Sequence, residues 1–371
     1  MPTPDPHPGP RPGPLVPHDL LTPVLLVDRD VLDRNLAAMA QHARERGLAL
    51  RPHVKTHKSP QVARLQIDQG AAGITVATVS EAQVFADHGF DDIFIAYPVW
   101  ADPARGSRLR DLAARVSLTV GVDSTEGAHA LAAQLGDLRN RVGVLVEVDT
   151  GHHRTGVLPA RAGAVAVAAS HCGLDVRGVF TFPGHSYAPG EAGDVAAEEA
   201  RELTRAVASL EEYGVAARVV SGGSTPSASH TGGEVLTEMR PGVYVFGDAQ
   251  QLELGTCGWD AIALTAAATV VSHGTDTVIL DAGSKCLGAD RASWASGHGR
   301  LLDHPAARIT ALSEHHATVR WPQAALPALG TRLRVVPNHV CSAVNLADQL
   351  VVVRGDRIED VWEVSARGAN T

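Results

Sequence analysis

The segment RPHVKTHKSP, residues 51–60, places two lysines and two histidines within ten residues. Lys55 ends a predicted apolar strand, and Lys58 stands just before a predicted helix. A lysine at the carboxyl end of a parallel strand faces the edge of the sheet where ligands bind. Partial desolvation there would lower its pKa and make its amine reactive toward carbonyl groups. Taken alone, however, a lysine at a strand end is more often a solvated charge.

The segment SGGSTPS, residues 221–227, offers a second kind of chemistry. Gly222 and Gly223 would let backbone N–H groups approach an anion closely, and Ser224 and Thr225 add hydroxyl donors. The pattern predicts a phosphate site, with an ordinary Gly/Ser turn as the alternative. It has no Walker lysine and no GxGxxG, which leaves ATP and NAD without support. A reactive lysine and a phosphate site at one sheet edge together favour pyridoxal 5′-phosphate (PLP), a phosphorylated aldehyde.

His339 and Cys341, in VPNHVCSAVN at residues 336–345, form a candidate metal site. If the segment is a strand, the imidazole and the thiol point to one face. Both groups bind zinc-like metals. Two ligands are too few for a closed tetrahedral site, so water, substrate or a distant residue would complete it. The alternative is a buried cysteine beside a surface histidine.

The elements that must position these groups alternate between short apolar runs and longer helical stretches. The alternation predicts a parallel sheet covered by helices. We expect an α/β fold with a (β/α)8 TIM-type barrel, and a doubly wound open sheet is the alternative. Ser80 is the expected N-cap of one helix, and the clearest helix covers residues 193–214. The eight predicted strands cover residues 48–55, 73–77, 92–98, 116–122, 142–149, 177–184, 217–223 and 242–247.

The pattern changes after about residue 255, where alternating β segments are joined by Gly, Asp and Asn turns. We therefore expect a C-terminal all-β domain at residues 255–371, which carries His339 and Cys341. The PLP-binding barrel is expected at residues 21–254. Residues 1–20 are Pro-rich and predict a disordered tail.

Composition limits the classes of partner. The 371 residues are 44% hydrophobic and 20% charged, as in an ordinary globular protein, and the net charge of -9 argues against a nucleic acid or an anionic membrane. No apolar stretch approaches the roughly 20 residues that span a bilayer, and the first residues lack a signal-peptide pattern. The four cysteines form no CxxC pair, which predicts reduced thiols and a cytoplasmic location.

Five segments in this order resemble one family: RPHVKTHK, DTGHHRTGV, SGGSTPS, RPGVYVFGD and PNHVC. They resemble the D-serine dehydratase and D-threonine aldolase family of fold-type III PLP enzymes, which is related to alanine racemase. The resemblance covers essentially the whole chain after the tail. It implies the barrel, the C-terminal β domain and a homodimer whose active sites lie near the domain and subunit junctions.

The resemblance also implies roles for individual residues. Lys55 matches the lysine that forms the Schiff base with PLP. His339 and Cys341 match two protein ligands of a divalent metal; the thiolate favours zinc, with manganese, cobalt or magnesium as alternatives. Phe182 departs from the pattern, because relatives often have tyrosine there. The other implied PLP-binding residues are Arg154 near the phenolic oxygen, Tyr187 and Arg240 near the ring nitrogen, and Gly222, Gly223, Ser224, Thr225 and Tyr244 at the phosphate.

The implied reaction acts on a small 3-hydroxy D-amino acid: D-serine, D-threonine or 3-hydroxy-D-aspartate. Aldolases of the family carry an aspartate at the second metal-ligand position and dehydratases carry a cysteine, so Cys341 favours a dehydratase that forms a 2-oxo acid and ammonia. Retro-aldol cleavage to glycine and an aldehyde is the first alternative, and racemisation is another. A non-catalytic PLP-binding protein is disfavoured, because such proteins lack the β domain and the HxC pair.

Overall fold

The computed structural model describes residues 16–17, 20–322 and 325–371. Its strands are β1 Val24–Asp28, β2 Ala49–Leu50, β3 Ile74–Val76, β4 Asp92–Pro98, β5 Ser117–Val122, β6 Gly143–Glu147, β7 Asp175–Phe180, β8 Val219–Gly222, β9 Glu238–Met239, β10 Leu264–His273, β11 Thr277–Leu280, β12 Gly299–Leu301, β13 Arg308–Leu312, β14 Ala317–Arg320, β15 Arg332–Pro337, β16 Gln349–Arg354 and β17 Arg357–Glu363. Its α-helices are α1 Arg29–Glu45, α2 Pro60–Asp68, α3 Val79–Asp87, α4 Pro103–Arg115, α5 Thr125–Leu135, α6 Ala162–His171, α7 Ala192–Glu212, α8 Ala249–Leu254, α9 Ser284–Leu287 and α10 Val340–Leu346. No helix in the described ranges is long and apolar enough to cross a bilayer.

The chain divides into two compact units. The parallel unit comprises Met39–Lys55, Val62–Gly242 and Gly368–Thr371. The antiparallel unit comprises the described residues up to Ala38, together with Thr56–Gln61 and Val243–Arg367. The antiparallel unit includes β1, near the start of the chain, because β1 pairs with β10 and β16.

The parallel unit contains one eight-stranded sheet in the order β2, β9, β8, β7, β6, β5, β4, β3, and its strand pairs are parallel. An isolated bridge between His53 and Thr75 also links the chain after β2 to β3. Strands β5 and β6 are buried along almost their whole length, as expected when helices cover a parallel sheet. The prediction of an α/β fold with eight parallel strands is confirmed.

Two of the predicted strands differ from the structure. The predicted eighth strand, 242–247, is a 3-10 turn, Val243–Val245, and the two-residue β9 takes its place in the sheet. The predicted first strand, 48–55, shortens to β2 followed by the 3-10 turn Val54–Thr56. A proline stands just beyond each short strand, Pro52 after β2 and Pro241 after β9. Proline has no N–H to donate to a neighbouring strand, but the N–H groups of Arg51 and His53 still donate to the carbonyls of Met239 and Pro241, each at 3.0 Å.

Aromatic side chains fill part of the parallel unit. Phe94 of β4 and Phe180 of β7 pack edge to face with their ring centroids 5.1 Å apart, and Leu145 completes the cluster. A Cβ atom at Gly121 of β5 would lie 2.7 Å from the Phe180 ring, so β5 needs glycine at this position. The guanidinium of Arg240 lies 5.5 and 5.4 Å from the centroids of the two rings.

The antiparallel unit is built on nine strands in the order β11, β14, β13, β12, β15, β10, β1, β16, β17. All its pairs are antiparallel except that of β1 with β16. This is consistent with the predicted all-β C-terminal domain, 255–371, to which the structure adds the short helices α9 and α10. The predicted disordered tail, 1–20, lies largely outside the described residues. Of its described residues, Val16 is buried in a cluster with Leu26 and Val351.

Helix α3 begins one residue before its predicted N-cap, Ser80. The N-cap is Thr78, whose Oγ1 accepts a hydrogen bond from the Glu81 N–H at 3.0 Å. The Glu81 carboxylate in turn accepts from the Ala77 N–H at 2.6 Å, which gives a Thr-x-x-Glu start of the capping-box kind. Ser80, the expected N-cap, lies within the first turn.

Candidate active site

The parallel unit contains a cavity of about 390 Å³, a volume typical of small-molecule sites. Lys55, Arg154 and Arg240, three of the sequence-predicted residues, line it together. The other lining residues are His53, Ala77, Thr78, Ala96, Tyr97, Thr155, Phe182 and Asn370. These described lining residues include three cationic side chains and no carboxylate. The donor set therefore suits an anionic ligand.

Phe182 contacts the two most accessible cations of the cavity, Lys55 and Arg154. The Lys55 Nζ is 5.4 Å from the centroid of the Phe182 ring, and the Arg154 guanidinium carbon is 5.1 Å from it. Both distances fall in the range of a cation–π contact. The ring thus contacts both side chains without the hydroxyl that a tyrosine would add. Lys55 itself sits in the 3-10 turn after β2, where its N–H lies 3.5 Å from the Nδ1 atom of His53.

Arg240 is held in place by buried polar groups. Its guanidinium donates hydrogen bonds to the Ser221 hydroxyl and to the Thr181 carbonyl. Burial lowers the pKa of Arg240, and the nearby carboxyls of Glu238 and Glu199 act in the opposite direction. The side chain is therefore fixed at the cavity wall before any ligand binds.

The predicted phosphate loop follows β8, but much of its hydrogen bonding is internal. The Gly223 N–H donates to Glu199 Oε1 at 2.7 Å, and the Ser224 N–H donates to Ser227 Oγ at 3.0 Å. A Cβ atom at Gly222 would clash with the Glu199 carboxylate, and Gly223 has a φ of +74°. The two glycines are thus required by the local backbone. Glu199 fixes the conformation of the loop by accepting the Gly223 N–H.

The remaining predicted PLP ligands lie elsewhere. Thr225 and its loop do not line the cavity. Tyr187 ends the 3-10 turn Gly184–Tyr187, and its ring centroid is 6.4 Å from that of Phe182. Tyr244 is buried in the turn Val243–Val245 of the antiparallel unit. The structure therefore gathers Lys55, Arg154 and Arg240 around one cavity, with Tyr187 adjacent through Phe182.

Two carboxyl groups near this region have raised pKa values. Burial raises the pKa of Glu199 to about 7, against the opposing hydrogen bond from Gly223. Burial likewise raises the pKa of Glu147 to about 7, although Thr155 donates a hydrogen bond to it. The Oε2 atom of each has no hydrogen-bond partner among the described residues. Both side chains are therefore expected to hold a proton well above the pH at which an exposed carboxyl loses it.

Changing Glu199 to glutamine should flatten the pH dependence of stability. The unfolded chain loses the Glu199 proton near pH 4.5 and the folded protein near 7, so wild-type stability should fall as pH rises across that interval. The shift corresponds to roughly 3 kcal/mol. Urea unfolding of the PLP-free protein at several pH values would measure it. Glu211→Gln, at an exposed position of α7, is the matched control. Equal pH slopes for Glu199→Gln and wild type would contradict the prediction.

The predicted metal ligands lie at the start of α10 in the antiparallel unit. His339 is the N-cap residue of that helix and Cys341 lies in its first turn, so the strand geometry expected for HVC is wrong. The His339 Nδ1 atom is 3.2 Å from the Oδ2 atom of Asp248, which also accepts the Val340 N–H at 3.2 Å. A carboxylate on one ring nitrogen leaves the other nitrogen to a metal, an arrangement common at metal sites.

The pKa of His339 is shifted by its neighbours Cys341 and Asp248. Burial alone would lower the pKa of His339, but Cys341 and Asp248 raise it well above its ordinary value. The Cys341 Sγ atom lies 3.4 Å from Oγ1 of Thr56, which follows Lys55 in the sequence. The described residues contain no cluster of three or more His, Cys, Asp or Glu side chains suited to a metal. A metal bound by His339 and Cys341 would thus keep open positions.

Sequence reasoning missed several residues that belong to this geometry. Asp248 is fully buried and N-caps α8 by accepting the Gln251 N–H at 2.9 Å. Its Asp-before-helix pattern is visible in the sequence, but its contact with His339 is not, because the two are far apart along the chain. His53 and Asn370 line the cavity without any sequence signal.

Comparisons with known proteins agree with this description. The model of the alanine racemase N-terminal domain matches residues 27–250, and that of a putative serine dehydratase domain matches residues 263–353. The chain is 36% identical to a D-threonine aldolase of Arthrobacter sp over 94% of this chain and 93% of that protein. It is 34% identical to the D-threo-3-hydroxyaspartate dehydratase of Delftia sp. (strain HT23), over 92% of this chain and 96% of that one.

Solved structures give the same result. The D-threonine aldolase from Filomicrobium marinum superimposes with a TM-score of 0.86 at 30% identity, covering 98% of this chain and all of that one. A D-threo-3-hydroxyaspartate dehydratase variant, described as a metal-free form, has a TM-score of 0.86 at 33% identity, with coverage of 93% and 98%. The fold and the cavity thus define a fold-type III PLP enzyme. The chain belongs to the D-threonine aldolase and D-serine dehydratase family and is a PLP-dependent lyase.

Proposed function

We propose that this protein is a PLP- and metal-dependent dehydratase that converts a 3-hydroxy D-amino acid to a 2-oxo acid and ammonia. The observation that carries the proposal is the pairing of His339 and Cys341, with Asp248 on the far nitrogen of the imidazole. Relatives named for dehydration and for aldol cleavage of such substrates support the substrate class. A thiolate ligand favours zinc over magnesium.

The cavity residues fit PLP by their chemistry. When bound, PLP supplies an electron sink for negative charge at the substrate α-carbon. Lys55 would hold the cofactor covalently through Nζ, and its amine would take the α-proton of the substrate as general base. Arg154 and Arg240 would bind anionic groups of the ligand at the cavity wall through charge-assisted hydrogen bonds. The Phe182 ring would restrict the movement of the Lys55 and Arg154 side chains through its cation–π contacts.

His339 and Cys341 would hold the metal, whose Lewis acidity makes the 3-hydroxyl a better leaving group. Asp248 would fix the orientation of the His339 ring. Elimination removes one water from the substrate. Hydrolysis of the resulting enamine takes one water back, so the net products are the 2-oxo acid and ammonia.

A second candidate is retro-aldol cleavage, which uses the same residues and yields glycine and an aldehyde. It is favoured by the 36% identity to a D-threonine aldolase along almost the whole chain. The two reactions differ in whether the proton is lost from the α-carbon or from the 3-hydroxyl. Cys341 is our reason for placing dehydration first.

Product analysis separates the two. Purified holoenzyme would be incubated with D-serine, D-threonine and D-threo-3-hydroxyaspartate, with a chelator and with the chelator followed by zinc. We expect 2-oxo acid and ammonia in equal amounts, lost with the chelator and restored by zinc. Glycine with an aldehyde would establish the aldolase instead. No conversion of any of the three substrates would reject both.

We further propose that the eight parallel strands close into a (β/α)8 barrel, which the His53–Thr75 bridge supports. The family resemblance supports a homodimer. None of the four cysteines, all within the described residues, forms a disulfide, and we propose a cytoplasmic location. Sedimentation of the purified protein would test the dimer.

A further inference from the structure

Residues 368–371 return to the parallel unit after the chain has completed the antiparallel sheet. Two anchor points flank Asn370. On one side, the Thr78 hydroxyl donates a hydrogen bond to the Ala369 carbonyl at 2.8 Å. On the other, the Ser80 N–H donates to the Thr371 carbonyl at 2.8 Å. The backbone on both sides of Asn370 is therefore fixed to the start of α3.

The anchoring uses groups that a helix start leaves open. The first N–H groups of an α-helix have no partner within the helix, and the Thr371 carbonyl takes that of Ser80. The Ser80 and Thr371 hydroxyls lie 2.7 Å apart, and Arg108 of α4 donates to both, at 2.9 and 3.2 Å. Thr78 serves twice, because its hydroxyl caps α3 and also holds Ala369. Four hydrogen bonds thus hold this segment, one to the Ala369 carbonyl, one to the Thr371 carbonyl and two to the Thr371 hydroxyl.

Asn370 lines the same cavity as Lys55. The same cavity is also lined by Thr78, two residues after β3, and by Tyr97 of β4. These three side chains are neutral and polar, whereas Lys55, Arg154 and Arg240 are cationic. The Asn370 side chain is exposed, so a ligand in the cavity can reach it. A carboxamide both donates and accepts hydrogen bonds.

We propose that Asn370 is a specificity-determining residue, whose carboxamide contacts the substituent on the β-carbon of the substrate. The inference rests on the proposed 3-hydroxy D-amino acid substrate and deepens it. The reacting carbons would lie at Lys55, and Asn370 supplies a neutral polar group to the lining of the same cavity. Asn370 then discriminates among substrates by what stands beyond the 3-hydroxyl: hydrogen, methyl or carboxylate.

The test compares substrates within one variant. In Asn370→Asp, kcat/KM for D-threo-3-hydroxyaspartate should fall about tenfold more than kcat/KM for D-serine or D-threonine. The reason is that the new carboxylate repels the second carboxylate, which only D-threo-3-hydroxyaspartate carries. Asn370→Ala should change the ratio between these substrates while leaving the visible absorbance of bound PLP unaltered. A variant that ends at Arg367 should match the selectivity of Asn370→Ala. Arg367→Ala, in an exposed ion pair with Asp348, is the control.

Binding without turnover gives a second readout. D-aspartate and D-alanine lack the 3-hydroxyl, and their binding can be followed through the absorbance of bound PLP. Asn370→Asp should weaken D-aspartate binding relative to D-alanine. Unchanged ratios for both binding and turnover, or an equal loss for every ligand, would overturn the role of Asn370. Failure of the wild type to convert any of the three substrates would reject the proposed function, while the binding ratio would still test Asn370.

Discussion

Lys55→Ala should lose the visible absorbance of covalently bound PLP, and kcat should fall roughly a thousandfold or more, the scale of losing a positioned general base. The reason is that Lys55 is the cavity lysine. The chain has only three lysines, Lys55, Lys58 and Lys285. Lys58 is 5% exposed, and its Nζ donates to the Ala366 carbonyl in the antiparallel unit. Lys285 forms an exposed ion pair with Glu314.

This scarcity allows a direct measurement. Borohydride reduction of the holoenzyme, followed by digestion and mass spectrometry, should find the phosphopyridoxyl group on Lys55 alone. Lys285→Ala is the matched control and should keep both absorbance and activity. A label on Lys58 or Lys285, or full activity in Lys55→Ala, would refute the assignment.

His339→Ala and Cys341→Ala should each lower bound metal and reduce kcat at least about a hundredfold, because the loss of one of two protein ligands leaves the ion weakly held. The absorbance of bound PLP should stay unchanged, which separates loss of metal from loss of fold. Metal content by mass spectrometry and activity with added zinc are the measurements.

Asp248→Asn should give a graded version of the same defect. The asparagine oxygen can still accept the Gln251 N–H and cap α8, but it no longer offers a carboxylate to the His339 Nδ1 atom. Metal affinity should weaken by about 10- to 100-fold, as for other partners of metal-binding histidines. Cys172→Ala and Asp260→Asn are the controls for a thiol and a carboxylate away from this cluster. Metal content in Asp248→Asn equal to wild type would show that Asp248 only caps the helix.

The sequence predicted the parallel strands well where each is a continuous apolar run. Strand β4 has the predicted bounds, 92–98, and β5 differs by one residue at its start. The prediction from sequence failed where strands are two residues long. Strand β9 has too few residues for a period to appear, whereas the alternating VYVF beside it imitates a strand and forms a turn. Whether such a short strand forms is determined by its contacts with the neighbouring strands and not by the β-propensity of its own residues.

The candidate site was predicted in its components and not in its assembly. Lys55 stood out because a lysine after an apolar run is unusual, and HVC because of its ligand types. The contact of Asp248 with His339 depends on how the chain folds back on itself, which periodicity does not reveal. The same holds for Asn370, whose position depends on Thr78 and Ser80. Ser80 was expected to cap α3; the Thr-x-x-Glu pattern from Thr78 to Glu81 is the better signal, and the Ser80 N–H instead donates to the Thr371 carbonyl.

The position of β1 has a consequence for how this protein is made. A ribosome produces β1 first, yet its neighbours in the sheet are β10 and β16, so that Leu26 pairs with Thr265 and with Val351. The apolar segment VLLVD must therefore stay unpaired while the strands of the parallel unit are synthesised, and it closes the sheet only when almost the whole chain has emerged. Contacts between such distant segments form slowly, and exposed strands invite aggregation in the meantime. The order in which this sheet assembles thus runs against the order in which it is translated.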